Sequence, residues 1–257
     1  MVRVLVVACT HGTEKVGLRV QESLERILGP NPNIDFTIGN PDALKDGVRF
    51  KETDLNRSFP GRIDGSKEER LAFDLAPVIR SYDVVIDIHS TVSGLESAVI
   101  LADLNEKSLA LARATQTKYV LYMRITEGQN LISGHPAAIG FEYGADDSEK
   151  THKDTVEGIC MILKEHGFPV DVKVEPTQGK IFLDVYEAIP KPSGFVAENN
   201  IENFKLVQSG QVYARNPVTG EELRAEADFY PVLFGQYTYE DKFGFKGRRD
   251  LVWEAKL

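Results

Sequence analysis

Val2 to Cys9 is an almost unbroken apolar run rich in valine, the pattern of a strand buried on both faces. A polar turn follows. Val16, Val20, Leu24 and Ile27 then recur at helical spacing along one face, and Gly29-Pro30 ends the run. Asp35 to Ile38 reads as a short strand, whereas Gly39 to Gly65 is dense in Asn, Pro, Asp, Gly and Arg and lacks periodicity; structureless segments of that length are usually functional or disordered. Ser66 opens a helix to Arg80, with Glu68 and Glu69 in its first turn where acidic groups favour the N-terminal dipole. Asp83 to Ile88 is a second buried strand and Ser97 to Leu101 a third. Asn105 to Thr115 reads as helix, Lys118 to Tyr122 and Ala137 to Glu142 as extended chain, and Ser148 to His166 as helix through Val156, Ile159, Cys160 and Leu163.

Strands alternating with helices predict an α/β fold with a mixed, mostly parallel central sheet and flanking helices. After Pro169 the pattern changes to short β-rich runs: DVKVEP, KIFLDVYEAI, LVQSGQVYA, DFYPVLF and LVWEAKL. The change places a boundary near Phe168, with an α/β domain over 1–168 and a smaller β-rich C-terminal domain over 169–257.

The charge narrows the function. With 30 Lys and Arg against 39 Asp and Glu, the 257-residue chain carries a formal charge of −9. Nucleic acid and anionic membrane surfaces need excess cationic side chains, so neither is an expected partner. Small molecules or other proteins remain; no sequence feature fixes the oligomeric state, a homodimer being one option. Cys9 and Cys160 lie in apolar stretches and read as reduced, buried thiols. No stretch approaches the ~20 apolar residues of a membrane span, and the short N-terminal apolar run lacks a cleavage site, so a cytoplasmic, unprocessed protein is expected.

Two segments carry candidate chemistry. The first strand runs into Thr10-His11-Gly12-Thr13-Glu14, and the second ends in Asp87-Ile88-His89. If the strands are parallel, His11, Glu14 and His89 share the carboxyl edge of the sheet, where open α/β folds bind ligands. Two imidazoles and one carboxylate form a ligand set that holds catalytic zinc with one position open. Taken without the others, His11 and Glu14 read more readily as capping or surface residues and His89 as a satisfied buried histidine; together the three favour a metal. Asp87 could orient one imidazole or cap a loop. Arg49 and Arg57 flank an Asn-rich loop, and a guanidinium clamps a carboxylate or an oxyanion through paired hydrogen bonds. Glu142 ends the strand AAIGFE between Gly140 and Gly144, a carboxylate at the sheet edge with room around it. A competing class is a non-catalytic small-molecule-binding α/β protein with an anion site at Thr10–Gly17, although the G-x-G-x-x-G spacing is missing.

Five segments stand in order: His11-Gly12-Thr13-Glu14, Asn40-Pro41-Asp42-Ala43, Asp54-Leu55-Asn56-Arg57-Ser58-Phe59, Asp87-Ile88-His89 and Gly140-Phe141-Glu142-Tyr143-Gly144. In this order the chain resembles the aspartoacylase/succinylglutamate desuccinylase family of the zinc carboxypeptidase-like clan. The resemblance implies one zinc ion per chain held by His11, Glu14 and His89, with Glu142 as general base toward a zinc-activated water. It implies that Arg49, Asn56 and Arg57 hold the substrate's carboxylates and carbonyl, Arg57 also stabilising developing charge. The implied reaction cleaves the amide of an N-acyl acidic amino acid; desuccinylation and a broader carboxypeptidase activity are the alternatives. The segment Tyr230–Lys242 resembles the family's closing segment with its substrate-contacting tyrosine, which Tyr237 and Tyr239 straddle. In one respect the chain departs: where the family carries an arginine about ten residues before the base, Ile132 stands, and Arg124 is the nearest upstream candidate.

Overall fold

The computed structural model describes residues 2–257. The apolar runs become one side of a nine-stranded sheet: β1 (Val4–Ala8), β2 (Ile34–Ile38), β3 (Val84–His89) and β6 (Ala138–Glu142) are mutually parallel, with β2 at the edge. β4 (Ala98–Leu101) runs antiparallel to β6, and β5 (Tyr119–Tyr122) and β7 (Ile181–Pro190) follow in the sense of β4. The order across the sheet is β11-β12-β7-β5-β4-β6-β3-β1-β2, closed by β11 (Tyr230–Val232) and β12 (Lys242–Arg249), both antiparallel to their neighbours.

Side-chain alternation divides the core between the two faces. Val4, Val6, Ile86, Ile88, Ile139 and Phe141 point to the face covered by α1 (Val16–Leu28), α4 (Glu106–Arg113) and α5 (Glu149–Glu165). Leu5, Val7, Val85 and Ala138 point to the other, against Ala72, Ala76 and Ile79 of α3 (Lys67–Arg80) and against Leu55 and Phe59. On this second face Asp87, His89 and Glu142 continue the alternation beyond the apolar rows, so the chemistry begins where the packing of α3 ends.

Helix ends follow the sequence signals. Ser66 and Glu69 form a reciprocal capping box on α3, and Ser148 caps α5. α1 has no side-chain cap of its own; Asp146, far along the chain, accepts from Val16 N at 2.7 Å and ties the first helix to the β6–α5 loop. No helix among the described residues is long and apolar enough to cross a membrane.

The chain beyond Phe168 is divided between that sheet and a second one. β7 returns beside β5, and β12 and β11 extend that edge, while β8 (Val196–Ala197), β9 (Val212–Arg215) and β10 (Glu222–Arg224) make a small antiparallel sheet of their own. Three expectations need correction. The Gly39–Gly65 segment contains α2 (Pro41–Asp46) and a 3₁₀ turn at Leu55–Arg57. DVKVEP forms no strand: it half-buries Val172 against the core and pairs with no strand among the described residues. LVWEAKL is not extended either, because Asp250 accepts from Val252 N and Trp253 N and starts a short helix, α6 (Leu251–Glu254).

Candidate active site

At the end of β1, Cys9 takes φ = 54°. A non-glycine residue there gives up roughly 1–2 kcal/mol, and the chain turns sharply to present Thr10 and His11. The buried thiol of Cys9 is pushed up to about 12 and that of Cys160 to about 11 by burial, so both stay protonated at neutral pH, and neither forms a disulfide. Gly12 is required for contact rather than for bending: a Cβ there would lie 2.2 Å from the Ala43 carbonyl carbon and 2.3 Å from Leu44 N. α2 therefore sits directly on the His11 turn, its first turn closed by Asn40, whose side chain accepts from Ala43 N at 3.1 Å. Gly12→Ala is expected to destabilise the fold by about 1–3 kcal/mol or more, measured by denaturant unfolding; an unchanged midpoint would mean that α2 is not seated on this turn.

Parallel pairing of β3 with β6 sets Asp87 beside Gly140 and His89 beside Glu142. Across from them, His11 Nδ1 lies 2.8 Å from Glu14 Oε1, and His89 Nδ1 lies 2.9 Å from Glu14 Oε2. One carboxylate thus faces two imidazoles. The outer nitrogens meet carboxylates as well: His89 Nε2 is 2.7 Å from Asp87 Oδ2, and His11 Nε2 is 3.0 Å from Asp54 Oδ1. Thr10 Oγ1 donates to the other Asp87 oxygen at 2.7 Å, so Asp87 is fixed from both sides.

Electrostatics follow from this arrangement. Burial alone would depress both histidines, but Glu14 and Asp54 hold His11 above its ordinary value, and Asp87 and Glu14 hold His89 well above it. Burial would raise Glu14, yet the two imidazoles bring it well below the usual carboxylate range. Glu142 behaves differently. Burial pushes it up to about 8 against the pull of His89, and among the described residues its carboxylate has no side-chain hydrogen bond.

The loop from Arg49 to Arg57 closes the site. Arg49 reaches Glu14 Oε1 at 2.9 Å and Asp54 Oδ2 at 3.5 Å. Asn56 Oδ1 accepts from Leu131 N at 2.8 Å, and its Nδ2 lies 3.1 Å from His89 Nε2. Arg57 donates to Asn56 O and to Asn130 Oδ1 and forms no ion pair among the described residues. Glu68, read from sequence only as a helix-start charge, is buried and accepts from Lys51 N, Glu52 N and Thr53 N, clamping this loop onto α3.

These groups line a cavity of about 320 Å³. His11, Glu14, Arg49, Asn56, Arg57, Asp87, His89, Glu142 and Tyr239 all reach it. Two candidates do not. Tyr237 is 88% exposed, so of the two tyrosines only Tyr239 meets the cavity, its phenol kept protonated by burial and by Glu142. Arg124 lies outside, paired with Asp184 Oδ1 at 2.9 Å, and Ile132 itself lines the wall. Residues missed in the sequence include Asp54, within a recognised motif but 43 positions from His11, and Thr238, whose buried hydroxyl at the cavity has no hydrogen-bond partner among the described residues.

The donor set fits a divalent cation. One ligand atom from each of His11, Glu14 and His89 lies within 4.8 Å of the others. Both outer imidazole nitrogens are backed by carboxylates, the arrangement that orients metal-binding histidines. A cation between the rings would displace the Nδ1 protons that face Glu14, so its binding would release protons.

Residues 1–163 match the model of the succinylglutamate desuccinylase/aspartoacylase catalytic domain. A probable aspartoacylase of Prochlorococcus marinus (strain MIT 9301) is 26% identical across 93% of this chain and 90% of its own. Another, from Acaryochloris marina (strain MBIC 11017), is 32% identical over 123 residues, which is 43% of this chain and 42% of that one. Murine aminoacylase 3 shares the fold with a TM-score of 0.79 at 17% identity, over 97% of this chain and 95% of that one. The chain belongs to the succinylglutamate desuccinylase/aspartoacylase family.

Proposed function

We propose that the protein is a zinc-dependent amidohydrolase that removes the acyl group of an N-acyl amino acid. The observation that carries this reading is the convergence of His11, Glu14 and His89 beside an unpaired carboxylate, Glu142, in one cavity. Two imidazoles and a carboxylate suit zinc with an open coordination position. Held there, zinc supplies a Lewis acid that acidifies water and polarises an amide carbonyl.

The chain's own residues supply the rest. Ionised once a cation sits beside it, Glu142 would take the proton from the attacking water and return it to the departing amine nitrogen. Asp87 and Asp54 hold the outer nitrogens of His89 and His11, fixing both rings. Arg57, with no carboxylate of its own, binds one on the substrate. Arg49 and Asn56 face the carbonyl side, and the Tyr239 phenol donates to a substrate oxygen. Leu233, Thr238 and Tyr239 wall the cavity from the C-terminal segment, which favours a small acyl amino acid over a long peptide.

The test is amine release from a panel of N-acyl amino acids before and after chelation. Activity is expected to vanish with the metal and to return when zinc is restored. Failure of the zinc-loaded protein to hydrolyse any acyl amino acid, or activity indifferent to chelator, contradicts the reading.

A further inference from the structure

The cavity is lined by two unlike sets of residues, and they bear on which acyl amino acid fits. Around Glu14 and Arg57 it is charged. Ile100, Met123, Ile132 and Leu233 add an apolar part to its wall. The sheet register explains why this wall is reached from the site. Gly140 sits between Asp87 on β3 and Ile100 on β4, two residues before Glu142 and on the same face. With no side chain at 140, Ile100 floors the space beneath Glu142; a Cβ at that position would lie 3.3 Å from the Ile100 Cβ. Met123, Ile132 and Leu233 close over it from separate segments and are themselves nearly buried.

The Thr126 hydroxyl at the cavity is already satisfied by the protein. Thr126 Oγ1 accepts from Asn130 Nδ2 at 2.9 Å and donates to Met123 O. Two guanidiniums line the cavity. Arg49 is held by Glu14 and Asp54, which leaves Arg57 as the lining cation without a carboxylate partner among the described residues. The other ionisable lining groups are the cluster His11, Glu14 and His89 with Asp87 beside it, the Tyr239 phenol, and two further acids, Glu142 and Asp146, so none adds a free guanidinium or ammonium. A ligand with one carboxylate is therefore matched, whereas a second carboxylate would be desolvated against aliphatic carbon or set beside like charge.

We infer that the substrate carries a single carboxylate, bound at Arg57, together with an uncharged apolar group resting on Ile100, Met123, Ile132 and Leu233. The inference rests on the deacylase reading above and departs from the acidic amino acid expected from the sequence. The apolar group is either the amino acid's side chain or a longer acyl chain, and two arms of one experiment separate them. With the zinc-loaded full chain, kcat/KM is compared for N-acetyl-leucine against N-acetylaspartate and for N-hexanoylglycine against N-succinylglycine.

The expected result is a preference of about 100-fold for the neutral member in at least one arm, and that arm locates the group. Ile132→Arg is expected to lower the neutral rate and raise the dicarboxylate rate, shifting the ratio by about 10-fold or more, while Ile132→Leu keeps it. Preference for dicarboxylates in both arms, equal rates in both, or a ratio unmoved in a folded Ile132→Arg protein would overturn the inference while leaving deacylation standing. If no compound is hydrolysed, deacylation fails instead. Calorimetric binding of the same four compounds to the wild-type protein then decides the inference: tighter binding of the neutral member sustains it, and equal or tighter binding of the dicarboxylate overturns it.

Discussion

Glu142→Gln is expected to keep the metal and to lower kcat by about 10³-fold, within the range that a positioned acid–base group contributes. The amide is nearly isosteric with the carboxyl and lies outside the three-ligand cluster, so metal content by elemental analysis should be unchanged. KM should move little, because the substrate's carboxylate is assigned to Arg57. A second consequence concerns stability. In the metal-free protein the folded chain holds the Glu142 proton up to about pH 8, while the unfolded chain releases it near 4.5. Between those values the native state binds the extra proton, so wild-type stability falls as pH rises and levels off above about 8. The Gln variant lacks that contribution, and its melting temperature should gain on wild type across the same window. Near-normal turnover would remove Glu142 from the reaction; a pH-independent difference in melting temperature would mean that its carboxyl is not held protonated.

His89→Ala is expected to abolish both metal retention and turnover. The imidazole stands between Asp87 and Glu14, so its removal also leaves two buried carboxylates facing a void. Breaking a buried charge pair in this way costs on the order of 3–5 kcal/mol. The chelated variant should therefore melt below the chelated wild type, a difference that loss of the metal alone does not produce. Full zinc content in a folded variant would exclude His89 as a ligand.

Much of the candidate site was legible because the residues that meet there are attached to elements with strong local signals. β1 is a continuous apolar run and β3 is broken only by Asp87, so His11, just past the end of β1, and His89, at the end of β3, are placed at a sheet edge once the strands are read as parallel. Glu142 follows from the same logic on β6. The antiparallel turn of β4 against β6 left no such mark, since its four apolar residues read alike in either direction. Asp54 was missed for a different reason: its contact with His11 depends on how Glu68 pins the loop to α3, a tertiary arrangement without local periodicity. α2 is too short to show a helical face and owes its place to the missing Cβ of Gly12.

The C-terminal third shows how composition misleads about partners. KIFLDVYEAI was recognisable as a strand, but the pattern of a strand is the same whether it founds a new sheet or extends an old one. β12 escaped notice because Gly244 and Gly247 interrupt its alternation at two register shifts against β7. That strand and β11 help to form the wall carrying Leu233 and Tyr239, so an unpromising stretch of sequence shapes one side of the cavity.

Anomalous diffraction from zinc-soaked crystals, recorded at the zinc edge, tests the metal centre most directly. A single peak enclosed by His11, Glu14 and His89, with Glu142 nearby but not ligating, is the predicted result. A peak elsewhere in the molecule, or none between these three side chains at full zinc occupancy in solution, would contradict it.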